Sequence, residues 1–342
     1  MFSELTKDRW RRFKCIKRAY FSLWILGIAF LLSLFSEFIA NDKPLFLRYE
    51  GRSYFPVLFF YSDRTFGGRY RTEANYLALK DKEEFRERGF MVFPIIPHSP
   101  LHSYLDLENN PPHPPSKTHL MGTDSVARDI LARLLYGFRI CMLFSLCLMI
   151  MTAVLGIIIG GIQGYLGGRI DIVIQRLVEI WSSLPFLYVV ILVGSIYGRG
   201  FSLLLLVMAL FQWIGLSYYM RGEFLKGKNM AYVKAAKALG IGPLRIFFSQ
   251  ILPNALTPVI TIMPFSLIGG ITALTALDFL GFGLPPPAPS WGELLSQGLD
   301  NLYAPWIAIS TIAALFFTLL LATFIGEGVR EAFDPKSEVR IE

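Results

Sequence analysis

The sequence predicts an all-α polytopic membrane protein: six transmembrane helices and an external loop subdomain of mixed structure. Three observations lead there. The 342 residues are 54% hydrophobic with a mean hydropathy of +0.48, which excludes an ordinary soluble domain. Six runs of at least 18 residues carry no Asp, Glu, Lys or Arg: Ala19–Ser36, Ile140–Gly168, Ile180–Gly198, Gly200–Met220, Ile246–Leu277 and Asn301–Gly326. Each is long enough to cross about 30 Å of hydrocarbon as a helix. The formal net charge of +7 sits on basic residues that flank those runs, the pattern of membrane topology. Membrane lipid is therefore an expected partner and nucleic acid is not.

The chain opens with a basic tail, residues 1–18, holding Lys7, Arg9, Arg11, Arg12, Lys14, Lys17 and Arg18 against Glu4 and Asp8. That excess places it in the cytoplasm, with Trp10 and Phe13 marking an amphipathic segment on the membrane surface. The first span, 19–40, is too long for a signal h-region and lacks a small-residue cleavage site at Ser36-Glu37-Phe38, so it reads as a retained anchor. Residues 41–120 form a periplasmic insertion with 11 Lys/Arg and 10 Asp/Glu. Long translocated loops escape the positive-inside rule. Its aromatics (Tyr49, Tyr54, Phe55, Phe59, Phe60, Tyr61) and short alternating stretches predict a small β-containing subdomain, and Pro111–Pro115 a stiff spacer around His113. All four histidines (His98, His102, His113, His119) fall in this insertion. Interspersed prolines deny them regular helical spacing, so no metal site is assigned. Cys15, Cys141 and Cys147 imply neither a disulfide framework nor zinc spacing.

Residues 121–330 form a core with five further spans. Asp124 is positioned to cap a helix whose face carries Ile130, Leu134 and Leu135. Gly156, Gly160 and Gly164, four apart, line a helix face that another helix can approach closely. Pro185 predicts a kink in the third span. Gly222–Asn229 falls one residue short of a phosphate-binding loop: Asn229 stands where Ser or Thr would hold magnesium, and an apolar helix precedes it instead of a strand. No nucleotide, catalytic or cofactor site is expected in this chain, so energy must come from a partner. Pro258, Pro264, Gly269 and Gly270 make the fifth span an irregular helix facing a cavity. A tail, 331–342, remains in the cytoplasm.

The loop 221–250 is the most informative stretch. Lys234, Lys237 and Arg245 keep it in water. Residues 229–239 predict a short helix of good helix formers, with Gly240 as its C′ residue. Gly242-Pro243 makes a turn, and a second helix, 244–252, leads into the next span. Ala235 and Ala236 leave a bare patch for a partner.

This stretch resembles the coupling loop of ABC importer permeases, E-A-A-x3-G-x9-I-x-L-P: Ala235, Ala236, Gly240, Leu252 and Pro253 match, Lys234 replaces the Glu, and Gln250 stands at the Ile. Gly122, Thr123, Asp124, Arg128, Asp129, Arg133, Tyr136, Gly137 and Arg139 resemble the G-T-D-x-x-G-R-D-x-x-x-R-x-x-Y-G-x-R segment of peptide-importer permeases, with Ala127 at the family's second Gly. Gly281, Gly283, Pro285–Pro289, Ser290, Trp291 and Gly292 resemble its F-L-G-x-G-x-x-P-P-x-P-S-W-G signature. From about 119 to 334 the chain is thus similar to the C-type permease of dipeptide and oligopeptide importers. Ala40–Leu45 and Tyr54-Phe55-Pro56 resemble the subfamily that imports oligopeptides and the peptide-nucleotide microcin C.

The resemblance implies a type I ABC importer permease fold in a bacterial inner membrane, both termini cytoplasmic. It implies a second homologous permease subunit, two ATPase domains and a periplasmic solute-binding protein as partners. Tyr232, Ala235, Ala236, Gly240 and Pro253 become the expected ATPase-coupling residues, with Ala236→Glu expected to abolish uptake at normal abundance. A nickel or opine importer of the same family is an alternative. A secondary transporter is another, but it would need a carboxylate at the bilayer midplane, and Glu37, Glu179, Asp278 and Glu327 sit near span ends. A membrane-embedded enzyme would need catalytic motifs that are absent. Selectivity lies mainly with the binding protein, so substrate and pore-lining residues are not legible. A reporter fused near Asn75 is expected to be active outside the cytoplasm and one near Lys237 inside; a cytoplasmic signal at 75 would invert the topology.

Overall fold

In lipid only a helix satisfies every backbone group within its own segment, and the apolar runs fold accordingly. The computed structural model describes residues 4–81, 85, 88–105 and 110–334. Of the two predicted tails, residues 1–3 and 335–342 lie outside the described residues. Two compact units appear: one gathers the chain up to Gly27, Cys141–Pro285 and the chain from Phe316; the other holds Ile28–Ile140 and Pro286–Leu315.

The basic tail is helix α1 (Glu4–Cys15). Its Phe13 is buried with Ala19 and Ala332, and Arg9 lies 4.5 Å over the Phe333 ring. The first span is α2 (Lys17–Leu34), followed by a separate turn of helix, α3 (Ser36–Ile39). The predicted 19–40 helix breaks where hydroxyls compete for carbonyls: Ser33 Oγ donates to Phe30 O at 2.7 Å, and Ser36 Oγ donates to Ser33 O.

The insertion carries the expected small sheet. Strands β1 (Phe46–Tyr49), β2 (Arg52–Tyr54) and β3 (Gly89–Val92) pair antiparallel in the order β2-β1-β3. Leu47 points into a core shared with Phe66, Tyr76 and Leu79, the last two on helix α4 (Tyr76–Asp81). Phe66 makes edge contacts with Tyr49, Tyr54, Tyr61 and Tyr76, so aromatic area substitutes for the short strands.

Helix α5 (Ile130–Leu166) runs 37 residues, about 55 Å at 1.5 Å per residue, and so extends beyond the hydrocarbon. Next come α6 (Gly168–Ser182) and α7 (Phe186–Tyr197). The predicted third span, Ile180–Gly198, is not one kinked helix. The chain turns by 72° between α6 and α7, because Pro185 has no N–H to continue the ladder and sits in an extended conformation (ψ 104). With only 12 residues, α7 reaches about 18 Å, short of a bilayer. Five helices are long and apolar enough to cross a membrane, or six if the bent pair counts as one span.

Helix α8 (Phe201–Gly227) contains most of the stretch that mimics a phosphate-binding loop. Its residues are helical, and Lys228 instead donates to the carbonyls of Gly164 (2.9 Å) and Tyr165 (3.4 Å) at the end of α5, where a cation complements the helix dipole. After α9 (Ala231–Ala238) comes α10, Pro243–Phe279, a single element. The expected separate helix over 244–252 is absent: Ile246–Ile251 forms a π turn that joins Pro243–Arg245 to Leu252–Phe279. Helices α11 (Trp291–Asp300) and α12 (Pro305–Phe333) complete the chain.

The three glycines of α5 meet α8 of the same chain. A methyl group on Gly156 would touch Leu216 Cβ at 2.9 Å, while one on Gly160 would run into the backbone of Ser217 and one on Gly164 into that of Arg221. Backbone cannot yield as a side chain can, so Gly160 sets the α5–α8 distance. Gly160→Leu is expected to separate the two helices at a cost of about 3 kcal/mol or more, with Gly160→Ala intermediate. The readout is Tm and monodisperse yield in detergent; an unchanged Tm for the Leu variant would mean that the face has room.

Candidate functional site: a coupling face and a buried ionic cluster

Helix α9 is short, so its position depends on packing rather than propensity. Val233 and Ala236 turn inward and are buried with Met220, Phe224, Ile246, Phe247 and Ile251. The helix closes in a Schellman motif: Gly240 N donates to Lys237 O (3.0 Å) and Ile241 N to Ala236 O (3.1 Å). Gly240 has φ +76, the left-handed geometry this cap requires, and Ile241 packs against the same cluster.

Ala236 therefore does not belong to the bare outward patch predicted for it. At 7% exposure it is the inward member of the pair, and a charge there would be buried without a partner. Ala235 is exposed, and so are Leu239 (81%), Leu244 (74%) and Phe248 (60%). These three large apolar side chains are exposed at positions that the motif leaves unspecified, and the sequence motif does not single them out. Tyr232 is half exposed and accepts from Asn254 Nδ2 at 3.3 Å. Pro253 is exposed in the first turn after the π segment.

The other two motifs contain a set of buried charges. Asp124 and Arg133 are fully buried, and Arg128 is nearly so. Arg128 Nη2 lies 2.7 Å from both Asp124 and Glu293. Arg133 Nη2 donates to Glu293 Oε2 at 2.5 Å, and its Nη1 to Pro100 O at 3.1 Å. Glu293 opens α11 as the third residue after the cap Ser290, whose hydroxyl accepts its N–H. Trp291 Nε1 donates to Leu134 O at 3.0 Å. A methyl on Gly137 would press on the Trp291 ring at 2.7 Å. Gly292 is buried beside Trp291.

Two details differ from expectation. Asp124 does not cap α5. Its Oδ1 accepts from Val126 N and Arg128 N, shaping the loop, and Asp129 is the cap, Oδ1 accepting from Ala132 N at 2.8 Å. Ala127, at the family's Gly, holds φ +61, a conformation that costs a non-glycine residue about 1 kcal/mol. Thr123 accepts from His113 N through its hydroxyl and from Trp306 Nε1 through its carbonyl, next to Gly122. Gly281 and Gly283 lie in the turn after α10, where Asp278 Oδ1 accepts from Leu284 N at 2.7 Å and Arg199 donates to Gly281 O. Glu293 was overlooked. Its signal was the Ser-x-x-Glu capping box at 290–293, legible as a helix start but not as a partner for distant arginines.

Residues 152–339 match the family described as the binding-protein-dependent transport system inner membrane component, more than half of the chain. The chain belongs to this family. Residues 4–52 of the permease match the N-terminal TM domain of oligopeptide transport permease C. The permease is 44% identical to the inner membrane ABC transporter permease protein YejE of Escherichia coli K12, covering 98% of this chain and 99% of that protein. It is 42% identical to the peptidoglycan transport system permease protein YejE of Agrobacterium fabrum, with 99% and 95% covered. The oligopeptide transport system permease protein OppC of Haemophilus influenzae is 37% identical over 64% of this chain and 70% of its own length. This permease is thus a multi-pass inner-membrane transport subunit, not an enzyme, and works with ATPase and substrate-binding partners.

Glu293→Ala would leave Arg133, 0% exposed, without its carboxylate. Breaking a buried pair from one side costs about 3–5 kcal/mol, so this variant is expected to fall steeply in Tm and membrane abundance. Glu293→Gln should be milder, since it keeps an acceptor. Normal abundance of the Ala variant would mean that water reaches the cluster.

Proposed function

We propose that this permease forms half of the membrane pathway of an ATP-driven importer for oligopeptides or peptide-like compounds, a class that includes microcin C and peptides from the cell wall. The observation that carries the reading is the apolar face Leu239–Leu244–Phe248 on a loop anchored from within by Val233 and Ala236. Exposed large apolar side chains in a segment that also carries Lys234, Lys237 and Arg245 are suited to a groove in a partner protein. The groove belongs to an ATPase, one of two in the assembly. A second, homologous permease lines the other half of the pathway, and a periplasmic solute-binding protein delivers substrate. The peptide reading rests on the similarity to the YejE and OppC proteins.

Both termini lie in the cytoplasm in this reading, and the insertion lies outside. The approach of Arg18 to Glu327, 3.4 Å, supports a common side for the N-terminal tail and the end of α12. The switching step follows from the anchoring. When the ATPases close, α9 moves as a rigid body, and α8 and α10 move with it through the shared apolar cluster. A cavity of about 200 Å³ between α5, α8 and α10 carries Thr152, Gln212, Tyr219 and Ser266 among apolar residues. Hydroxyl and amide groups of this kind suit a peptide backbone.

Leu239→Asp and Leu244→Asp are expected to lower uptake of a toxic peptide conjugate at least tenfold, a loss of about 1.4 kcal/mol in coupling, with normal membrane abundance and weakened ATPase co-purification. Ala236→Glu is expected to lower abundance itself. Full uptake by both Leu variants would show that the face contacts nothing during transport.

A further inference from the structure

Two of the four histidines come together in space although the sequence keeps them apart. His98 follows β3, His119 follows the proline run, and Asp129 caps α5; all three lie in one compact unit. His119 and Asp129 are almost fully buried, and His119 Nδ1 stands 2.9 Å from Asp129 Oδ2. The His98 ring stacks on that of His119 with centroids 4.3 Å apart. Tyr104 packs 5.0 Å from each ring and closes one side.

The tautomer of His98 follows from its partner. Nε2 lies 2.7 Å from the carbonyl oxygen of Thr118. A carbonyl only accepts, so Nε2 carries the proton and Nδ1 of the neutral ring is a bare lone pair. The same Nδ1 is buried and has no hydrogen-bond partner among the described residues. A His–Asp hydrogen bond accounts for His119 but leaves this lone pair unanswered. One candidate ligand atom from each of His98, His119 and Asp129 lies within 4.8 Å of the other two.

We propose that His98, His119 and Asp129 form a binding site for a divalent cation of the zinc type. Two imidazoles and a carboxylate are the donor set such an ion takes, with a fourth position left to water. His119 Nδ1 and Asp129 Oδ2 stand 2.9 Å apart, and two ligands about 2.1 Å from a tetrahedral zinc stand about 3.4 Å apart, so the pair opens by about 0.5 Å to admit the ion. The cation replaces the proton shared by that pair, and His98 Nδ1 supplies the third donor while Nε2 stays on the Thr118 carbonyl. The Thr118 carbonyl orients His98 from outside the ligand set, as such acceptors do for metal-bound imidazoles. Because Asp129 also caps α5, the ion clips two loop segments of the insertion to the start of that helix.

The test uses the full-length protein purified in detergent, stripped with a chelator and titrated with Zn²⁺. Bound metal is measured after gel filtration, and Co²⁺ is titrated separately to read its visible spectrum. The expected result is one zinc per chain and a tetrahedral Co²⁺ band. His98→Gln is the decisive variant, since His98 is partly exposed and its loss spares the His119–Asp129 pair. It should weaken zinc binding by roughly a hundredfold, and His119→Gln should do the same. His102→Gln and His113→Gln should bind as the parent does, and zinc should raise Tm in these controls but not in the His98 variant. No zinc retained by the parent, or equal binding by His98→Gln, would overturn the proposal.

Discussion

Arg133 carries a charge into a fully buried position, and much of the packing of its unit follows from that. A buried guanidinium must be met by a carboxylate and by enough acceptors for its remaining N–H groups. Glu293 and the carbonyl of Pro100 meet its two Nη groups, Nε lies 3.5 Å from Asp124 Oδ2 with no hydrogen bond among the described residues, and Arg128 pairs with Asp124 and Glu293. These partners come from the loop before α5, from the insertion and from the start of α11. The Trp291 bond to Leu134 and the fit of Gly137 against the indole lie beside the ionic contacts and exclude water from them. Motifs about 150 residues apart in sequence are thus parts of one electrostatic solution.

The coupling element is governed by a different constraint. Eight residues of helix are too few to be stable alone, so α9 exists as a defined lever only because Val233 and Ala236 are sunk in a cluster shared with α8 and α10. The Schellman closure at Gly240 and the π turn over Ile246–Ile251 tie the lever to the transmembrane helix that follows. Leu239 and Leu244 are thus joined to α10 by packed side chains and by the backbone of the π turn. Gly160 sets the close α5–α8 contact beside this cluster.

Much of this was legible in the residues. Six uncharged runs with basic flanks set the number of apolar segments, because the hydrocarbon thickness fixes helix length and only the water side tolerates Lys and Arg. The αL position at Gly240, the glycine face of α5 and a β-containing insertion all follow from local conformational rules. Pro185 marks a bend but not its 72° size, the π turn that merges 244–252 into α10 has no sequence signal, and side-chain direction is legible least of all. Ala235 and Ala236 look alike in sequence, yet a 100° rotation along the helix puts one in water and the other in the core. Asp124 and Asp129 are both good cap residues, and the loop geometry around Ala127 decided between them.

The sequence by itself determined the class of protein, the positions of its apolar helices and the short helix capped at Gly240, because those depend on hydropathy, charge and backbone propensity over short windows. Only the tertiary structure decided that Glu293 answers Arg133, that the glycines meet α8 of the same chain, and that His98 and His119 lie ring on ring. Each of these is a pairing between residues far apart in the chain. Such pairings are set by packing in three dimensions and the cost of leaving a buried group unsatisfied, and neither leaves a periodic trace in the sequence.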